Sequence, residues 1–158
     1  MFIDIAIWIM YFGTIYFAVF WILMMFKNKV KDPEIKKLSK FPLVSVVIPT
    51  YNEEKNIEAT IKSVLELDYP KDKIELFVVN DNSNDNTRDI VEKIIKKNKE
   101  FDIKLINHKE NLGKGAALNS ALKEAKGEFF ICLDADSFVE KKALKVILPC
   151  FEDENVGA

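Results

Sequence analysis

"DADS" places carboxylates at Asp134 and Asp136, two residues apart, just after the apolar run "FFICL". Paired hard oxygens of this kind suit a divalent cation. A second polar stretch, "NDNSNDNT", offers oxygens at Asp81, Ser83 and Asp85, continued by Thr87, Asp89 and Glu92. That spacing is close to the ligand pattern of an EF-hand calcium loop. A third, "GKG", sets Lys114 between Gly113 and Gly115 at the start of an apolar-periodic segment. Free backbone N–H groups and a cation there favour phosphate, although a surface lysine in a flexible turn explains the same residues. A fourth, "PTYNEE", brings Pro49, Thr50, Tyr51 and Glu53 together.

The elements that must position these groups alternate. "LVSVVIP", "KIELFVV", "IKLINH" and "EFFICLD" are short apolar runs of strand type. Between and after them, Ile57, Ile61, Val64 and Leu65, then Ile90, Val91, Ile94 and Ile95, then "KGAALNSALKEA", then Ala143, Leu144, Ile147 and Leu148 recur at helical spacing. The pattern predicts an α/β fold with a mainly parallel sheet and helices on both faces. In such sheets ligands bind beyond the carboxyl ends of the strands, and each polar stretch leaves a predicted strand there. An EF-hand needs an incoming helix, a glycine at its sixth position and an apolar residue at its eighth; this chain has the strand "ELFVV", Asn86 and Arg88. The oxygens of "NDNSNDNT" instead suit a turn, with Asp85 or Asn86 capping the next helix. "GKG" lacks the spacing of a nucleotide-binding P-loop.

The rest of the chain sets context. At 158 residues, 49% hydrophobic and 30% charged, with a net charge of −2, it has room for one ordinary domain and no basic excess to bind nucleic acid. Cys132 and Cys150 sit in apolar runs, as reduced, packed cysteines do, which points to a reducing compartment. Ile5 to Phe26 contains no charged residue and spans about 33 Å as a helix, enough to cross a bilayer. Residues 1–26 are therefore expected to be a transmembrane helix, with no basic segment before it to suggest a cleaved signal. Residues 27–42 form a basic juxtamembrane linker whose Lys27, Lys29 and Lys31 place the remainder, residues 43–158, in the cytoplasm. The expected location is the cell membrane, single-pass.

Taken in order, "VSVVIPTYNEE", "VVNDNSNDNT", "NLGKGAALN" and "ICLDADS" resemble the nucleotide-sugar-binding half of the family-2 inverting glycosyltransferases, which have the GT-A fold. Behind a transmembrane helix, the forms "GKGAALN" and "LDADS" most resemble membrane-bound synthases of poly-N-acetylglucosamine, hyaluronan and cellulose. The resemblance implies a nucleotide diphosphate sugar, with a uridine diphosphate sugar the expected donor, and a lipid or polysaccharide acceptor. It implies that Asp81 accepts a hydrogen bond from the base, and that Pro49, Thr50, Tyr51 and Glu53 border base and ribose. It further implies that Asp134 lies towards the ribose and diphosphate, and that Asp136, with Asp134, binds Mg²⁺ or Mn²⁺. Tyr51 stacks or hydrogen-bonds there, or is a partly buried turn tyrosine.

Two departures stand out: Asn80 replaces an aspartate common in that family, and Asn82 replaces a frequent glycine. The family's general base is expected beyond Ala158, and His108 reads as a loop residue after a strand. Two other readings fit parts of the pattern: a non-catalytic half that pairs with a complementary chain, and a nucleotidyltransferase. The latter should carry a glycine-rich, basic loop after its first strand, where this chain has "PTYNEE".

Overall fold

The β-branched apolar runs become strands. In the computed structural model, which describes residues 2–27, 38–152 and 156, they form β1 (Val44–Thr50), β2 (Ile74–Asn80), β3 (Asp102–Asn107) and β4 (Phe129–Cys132). All pairings are parallel, in the order β3-β2-β1-β4. β2 is buried along its whole length, which is why it reads as a continuous run rather than an alternating one.

Among the described residues five α-helices accompany the strands: α1 (Phe2–Lys27), α2 (Ile57–Leu65), α3 (Thr87–Lys97), α4 (Lys114–Leu122) and α5 (Ala143–Ile147). Side chains alternate across a strand, so β1 and β2 present two apolar faces. Val44, Val46, Ile48, Ile74, Leu76 and Val78 pack with Ile57 and Ile61 of α2, Val91 and Ile94 of α3, and Leu144 of α5. On the opposite face, Val47, Phe77 and Val79 meet Ala117 and Ala121 of α4. The α/β sheet with helices on both faces is thus the fold. α5 is shorter than its apolar spacing predicts. It passes into a 3₁₀ segment at Leu148–Glu152, because Pro149 has no N–H to continue the α-helical ladder.

A buried carboxylate fixes the start of β4. Oε1 of Glu75 accepts the Ser45 hydroxyl at 2.5 Å, the Lys126 amide at 2.6 Å and the Gly127 amide at 3.0 Å, with Lys104 Nζ 3.8 Å from its other oxygen. Burial pushes the Glu75 carboxyl up, but these donors outweigh it and hold it below the usual range. Gly127 leaves no room for a side chain: a Cβ would lie 2.4 Å from Ser45 Oγ and 2.6 Å from Ser45 N.

The two cysteines correct the sequence reading. Both are free, but both are exposed rather than packed. Cys132 pairs in register with Val47 on the edge strand β4, while α4 on that face packs over β1 and β2.

α1 is a separate compact unit. Its segment Phe2–Met25, of 24 residues and mean hydropathy 2.0, is long and apolar enough to cross a membrane by length and composition. Lys29, Lys31 and Pro33, on which the expected basic linker and orientation rest, lie outside the described residues.

Candidate functional site

Strand order reverses between β1 and β4, which makes their carboxyl ends the switch point of the sheet. The ladder continues past the strand ends. The Asp81 amide donates to Thr50 O at 2.9 Å, the His108 amide to Asn80 O at 2.9 Å, and the Leu133 amide to Val47 O at 2.9 Å. Thr50, Asp81 and His108 consequently leave adjacent strands side by side.

Asp81 is buried, with 4% of its surface exposed, and its carboxylate is held from three directions. Oδ1 accepts the Leu112 amide at 3.0 Å and faces His108 Nδ1 at 2.7 Å, and Oδ2 accepts the Gly113 amide at 2.7 Å. Burial pushes this carboxyl up, and the Leu112 amide, His108 and the Gly113 amide together overcome it, so Asp81 sits below the usual carboxylate range and is ionised. Gly113 can present its amide here because its φ of 83° is open to glycine.

The calcium-like oxygens are used within the loops. Asp85 Oδ1 accepts the Thr87 amide at 3.0 Å, a turn bond ahead of α3, whose N-cap residue Asn86 makes no side-chain cap bond of the kind expected, and the Asp85 Oδ2 accepts the Glu54 amide at 3.0 Å. Ser83 Oγ accepts the Asn52 amide at 3.0 Å, and Asn52 Oδ1 accepts the Asn84 amide at 2.8 Å. Thr87 Oγ1 accepts the Glu53 amide at 2.9 Å. These bonds stitch "PTYNEE" to "NDNSNDNT", with Asn52 and Asn82 in the left-handed region at φ 56° and 63°, which Asn tolerates better than most residues.

Beyond the strand ends lies a cavity of about 110 Å³ lined by Pro49, Thr50, Tyr51, Asp81, Lys114, Ala117 and Asp134. Six of the eight expected site residues therefore converge. Thr50 is 3% exposed, and its Oγ1 is a buried hydroxyl without a hydrogen-bond partner. Such an atom is costly unless something else meets it. Lys114 opens α4 and pairs with Oδ1 of Asp134, a contact that raises the lysine above its ordinary value. Tyr51 is 45% exposed, its ring open to solvent at the rim.

Glu53 and Asp136 are not among the lining residues. Glu53 Oε2 accepts from Asn56 Nδ2 at 2.8 Å, while Asp136 stands exposed one residue beyond Ala135. Among the described residues no three His, Cys, Asp or Glu gather to cage a metal. Two carboxylates at Asp134 and Asp136 suit an ion that completes its shell with phosphate oxygens and water, as Mg²⁺ and Mn²⁺ do, better than calcium's fuller oxygen cage. The cavity is smaller than a complete small-molecule site. A larger hollow of about 550 Å³ between α2 and α3 is lined by none of the candidate residues.

His108 and Ser120 were not legible as site residues. His108 Nε2 lies 2.9 Å from Ser120 Oγ on α4, so the ring bridges α4 to Asp81. The signal is the β2–β3 register, Asn80 opposite Asn107, which brings the next residues, Asp81 and His108, together.

Residues 45–158 match the family described as glycosyl transferase family 2. The chain is similar to a probable glycosyltransferase, YdaM, of Bacillus subtilis (42% identical, covering 78% of this chain and 30% of that protein). It is also similar to the poly-beta-1,6-N-acetyl-D-glucosamine synthase of Staphylococcus aureus (34% identical, covering 92% and 34%). It thus spans about a third of the length of these curated relatives. Among solved structures it is similar to the mannosyltransferase PcManGT of Pyrobaculum calidifontis in complex with GDP-Man and Mn²⁺ (TM-score 0.75, 31% identical, covering 89% of this chain and 41% of that one). It is similar as well to S. aureus TarS 1-349 in complex with UDP-GlcNAc (TM-score 0.62, 35% identical, covering 70% and 31%).

Proposed function

The chain belongs to glycosyl transferase family 2, and from that premise we propose that it is the donor-binding part of a membrane-anchored, inverting, metal-dependent glycosyltransferase. Its donor is a uridine diphosphate sugar, and its acceptor a lipid or growing polysaccharide. α1 is the anchor, and the sheet unit faces the cytoplasm. The observation that carries the reading is the cavity at the switch point, lined by a buried ionised acid, a residue with an unpartnered buried hydroxyl and a lysine–aspartate pair.

In this reading the base enters beside Asp81, whose Oδ2 retains an acceptor position for a base N–H, and the Thr50 hydroxyl gains its missing partner. Pro49, Tyr51 and Glu53 shape the loop around base and ribose. Lys114, at the start of α4, meets the diphosphate together with the free N–H groups of that helix. Asp136 and Asp134 would hold Mg²⁺ or Mn²⁺, which neutralises charge on the departing diphosphate. Transfer forms a bond from the acceptor oxygen to the anomeric carbon as the bond to the diphosphate breaks, and the hydroxyl proton passes to a base. No described residue is assigned that last role.

Calorimetry of the full chain in detergent with UDP and Mn²⁺ tests the reading. Binding is expected, weakened at least tenfold by Asp81→Ala and made Mn²⁺-independent by Asp136→Ala, since a hydrogen bond to a charged group contributes about 1.5 kcal/mol or more. No UDP binding by the native chain overturns it. A second reading, in which this unit works with a complementary chain, is favoured by the exposed Phe130 on edge strand β4 and the exposed Phe138 beyond it.

A further inference from the structure

The only histidine of the chain is placed where a loop residue has no need to be. The His108 side chain is 8% exposed and that of Asp81 6%, and the ring touches two polar groups from two different elements. An ionised carboxylate only accepts, so the proton on this side of the ring belongs to Nδ1. Nε2 then accepts the Ser120 hydroxyl, and one neutral tautomer satisfies both contacts.

Asp81 has four acceptor positions, two per oxygen. The Leu112 amide and His108 occupy those of Oδ1, and the Gly113 amide occupies one on Oδ2. One position remains. All three donors come from the one loop between β3 and α4: the two amides lie at its end, and His108, its first residue, adds the one side-chain contact to the carboxylate, on the oxygen that also takes the Leu112 amide. Ser120, on α4, in turn fixes the ring.

We propose that His108, steadied by Ser120, is a positioning residue for nucleotide recognition: it orients Asp81 so that its one remaining acceptor position meets the N–H of the base. The inference rests on the donor-binding role given to the cavity above. His108 touches no ligand in this scheme, and its hydrogen bonds go to Asp81, Ser120 and Asn80 rather than to Lys114, Asp134 or Asp136. Losing it should therefore weaken ligands that carry a base and spare those that consist of diphosphate alone.

The test is calorimetry of the full chain in detergent with Mn²⁺, using UDP and, separately, inorganic pyrophosphate. His108→Ala is expected to raise the Kd for UDP roughly tenfold, the loss of one hydrogen bond to a charged group, and to leave pyrophosphate within about twofold of native. His108→Asn, whose amide N–H can replace Nδ1–H, is expected to recover most of the UDP affinity. Ser120→Ala is expected to cost roughly threefold for UDP alone, the loss of one neutral hydrogen bond. If His108→Ala fails to fold, His108→Asn and Ser120→Ala decide the matter by the same two ligands. Equal weakening of UDP and pyrophosphate, or UDP affinity unchanged by His108→Ala, overturns the inference while leaving the donor-binding reading intact. A native chain that binds no UDP overturns both.

Discussion

Replacing Glu75 by Gln probes the bond set that seats β4, and through it Asp134. In the native chain one oxygen of Glu75 takes three donors, from Ser45, Lys126 and Gly127, and the other faces Lys104. Gln keeps an oxygen for the three donors but makes each bond neutral, a loss of roughly 1 kcal/mol apiece, and turns an N–H towards the Lys104 ammonium. Against this, a neutral amide is cheaper to bury than a carboxylate. The lowered position of the native carboxyl says that the donors win over burial, so the net cost at pH 7 should be about 2 kcal/mol. Because the folded carboxyl lies below its unfolded value, this contribution is present above the unfolded value of about 4.3. It is lost as pH falls through the folded one. Native-state hydrogen exchange of the Leu76 and Val78 amides, in native and variant chains at pH 7 and pH 4, measures it. Equal protection at pH 7, or a gap that widens on acidification, refutes the reasoning.

Gly127→Ala attacks the same junction sterically. With two of the clashing atoms on the backbone, at 2.6 Å (Ser45 N) and 2.9 Å (Phe129 O), the loss should be about 3 kcal/mol by the same exchange measurement. Tyr69 donates to Pro42 O at 2.7 Å, and burial, with the Glu128 charge, pushes its phenol up to about 12. The unfolded chain then releases this proton first as pH rises, so stability falls by roughly 2–3 kcal/mol between about pH 10 and 12. Tyr69→Phe should be less stable than native at pH 9 by about 1 kcal/mol, and by pH 12 the order should reverse, the variant being the more stable by about 1–2 kcal/mol in denaturation curves.

What the sequence disclosed and what it did not have separate physical causes. β2 was legible because burial on both faces demands an unbroken apolar run, and the convergence of Thr50, Asp81, Lys114 and Asp134 follows once the strands are parallel. The exposure of Cys132 was not, because an apolar strand sequence does not say whether a helix covers that stretch of the edge. Nor was the role of His108, which depends on a one-residue register between β2 and β3 that local pattern leaves open. Glu75 read as an ordinary charge at a strand start. Its hydrogen-bond donors lie 30 and more residues away in sequence.

Glu75 and Asp81 share a cause that neither reveals alone. Both lie on the α4 face of the strand β2 and its exit, six residues apart, or about 20 Å. Each accepts backbone amides from a loop flanking α4: Asp81 from Leu112 and Gly113 before it, Glu75 from Lys126 and Gly127 after it. Gly113 and Lys126 stand thirteen residues apart with the nine residues of α4 between them, a span of roughly 20 Å at the helical rise, so helix and strand are matched in length and tied at both ends. α4 needs such ties, because the side chains it buries against the sheet are those of Ala117 and Ala121, which offer little relief against sliding. Hydrogen bonds to a fixed carboxylate are directional where methyl contacts are not, so the register of α4 is set by two acids. Lys114 opens that helix, and its reach to Asp134 is therefore determined from both ends of β2: the Leu112 and Gly113 amides on Asp81, bonds that do not involve His108, fix where α4 begins, and Glu75 fixes β4, which leads to Asp134.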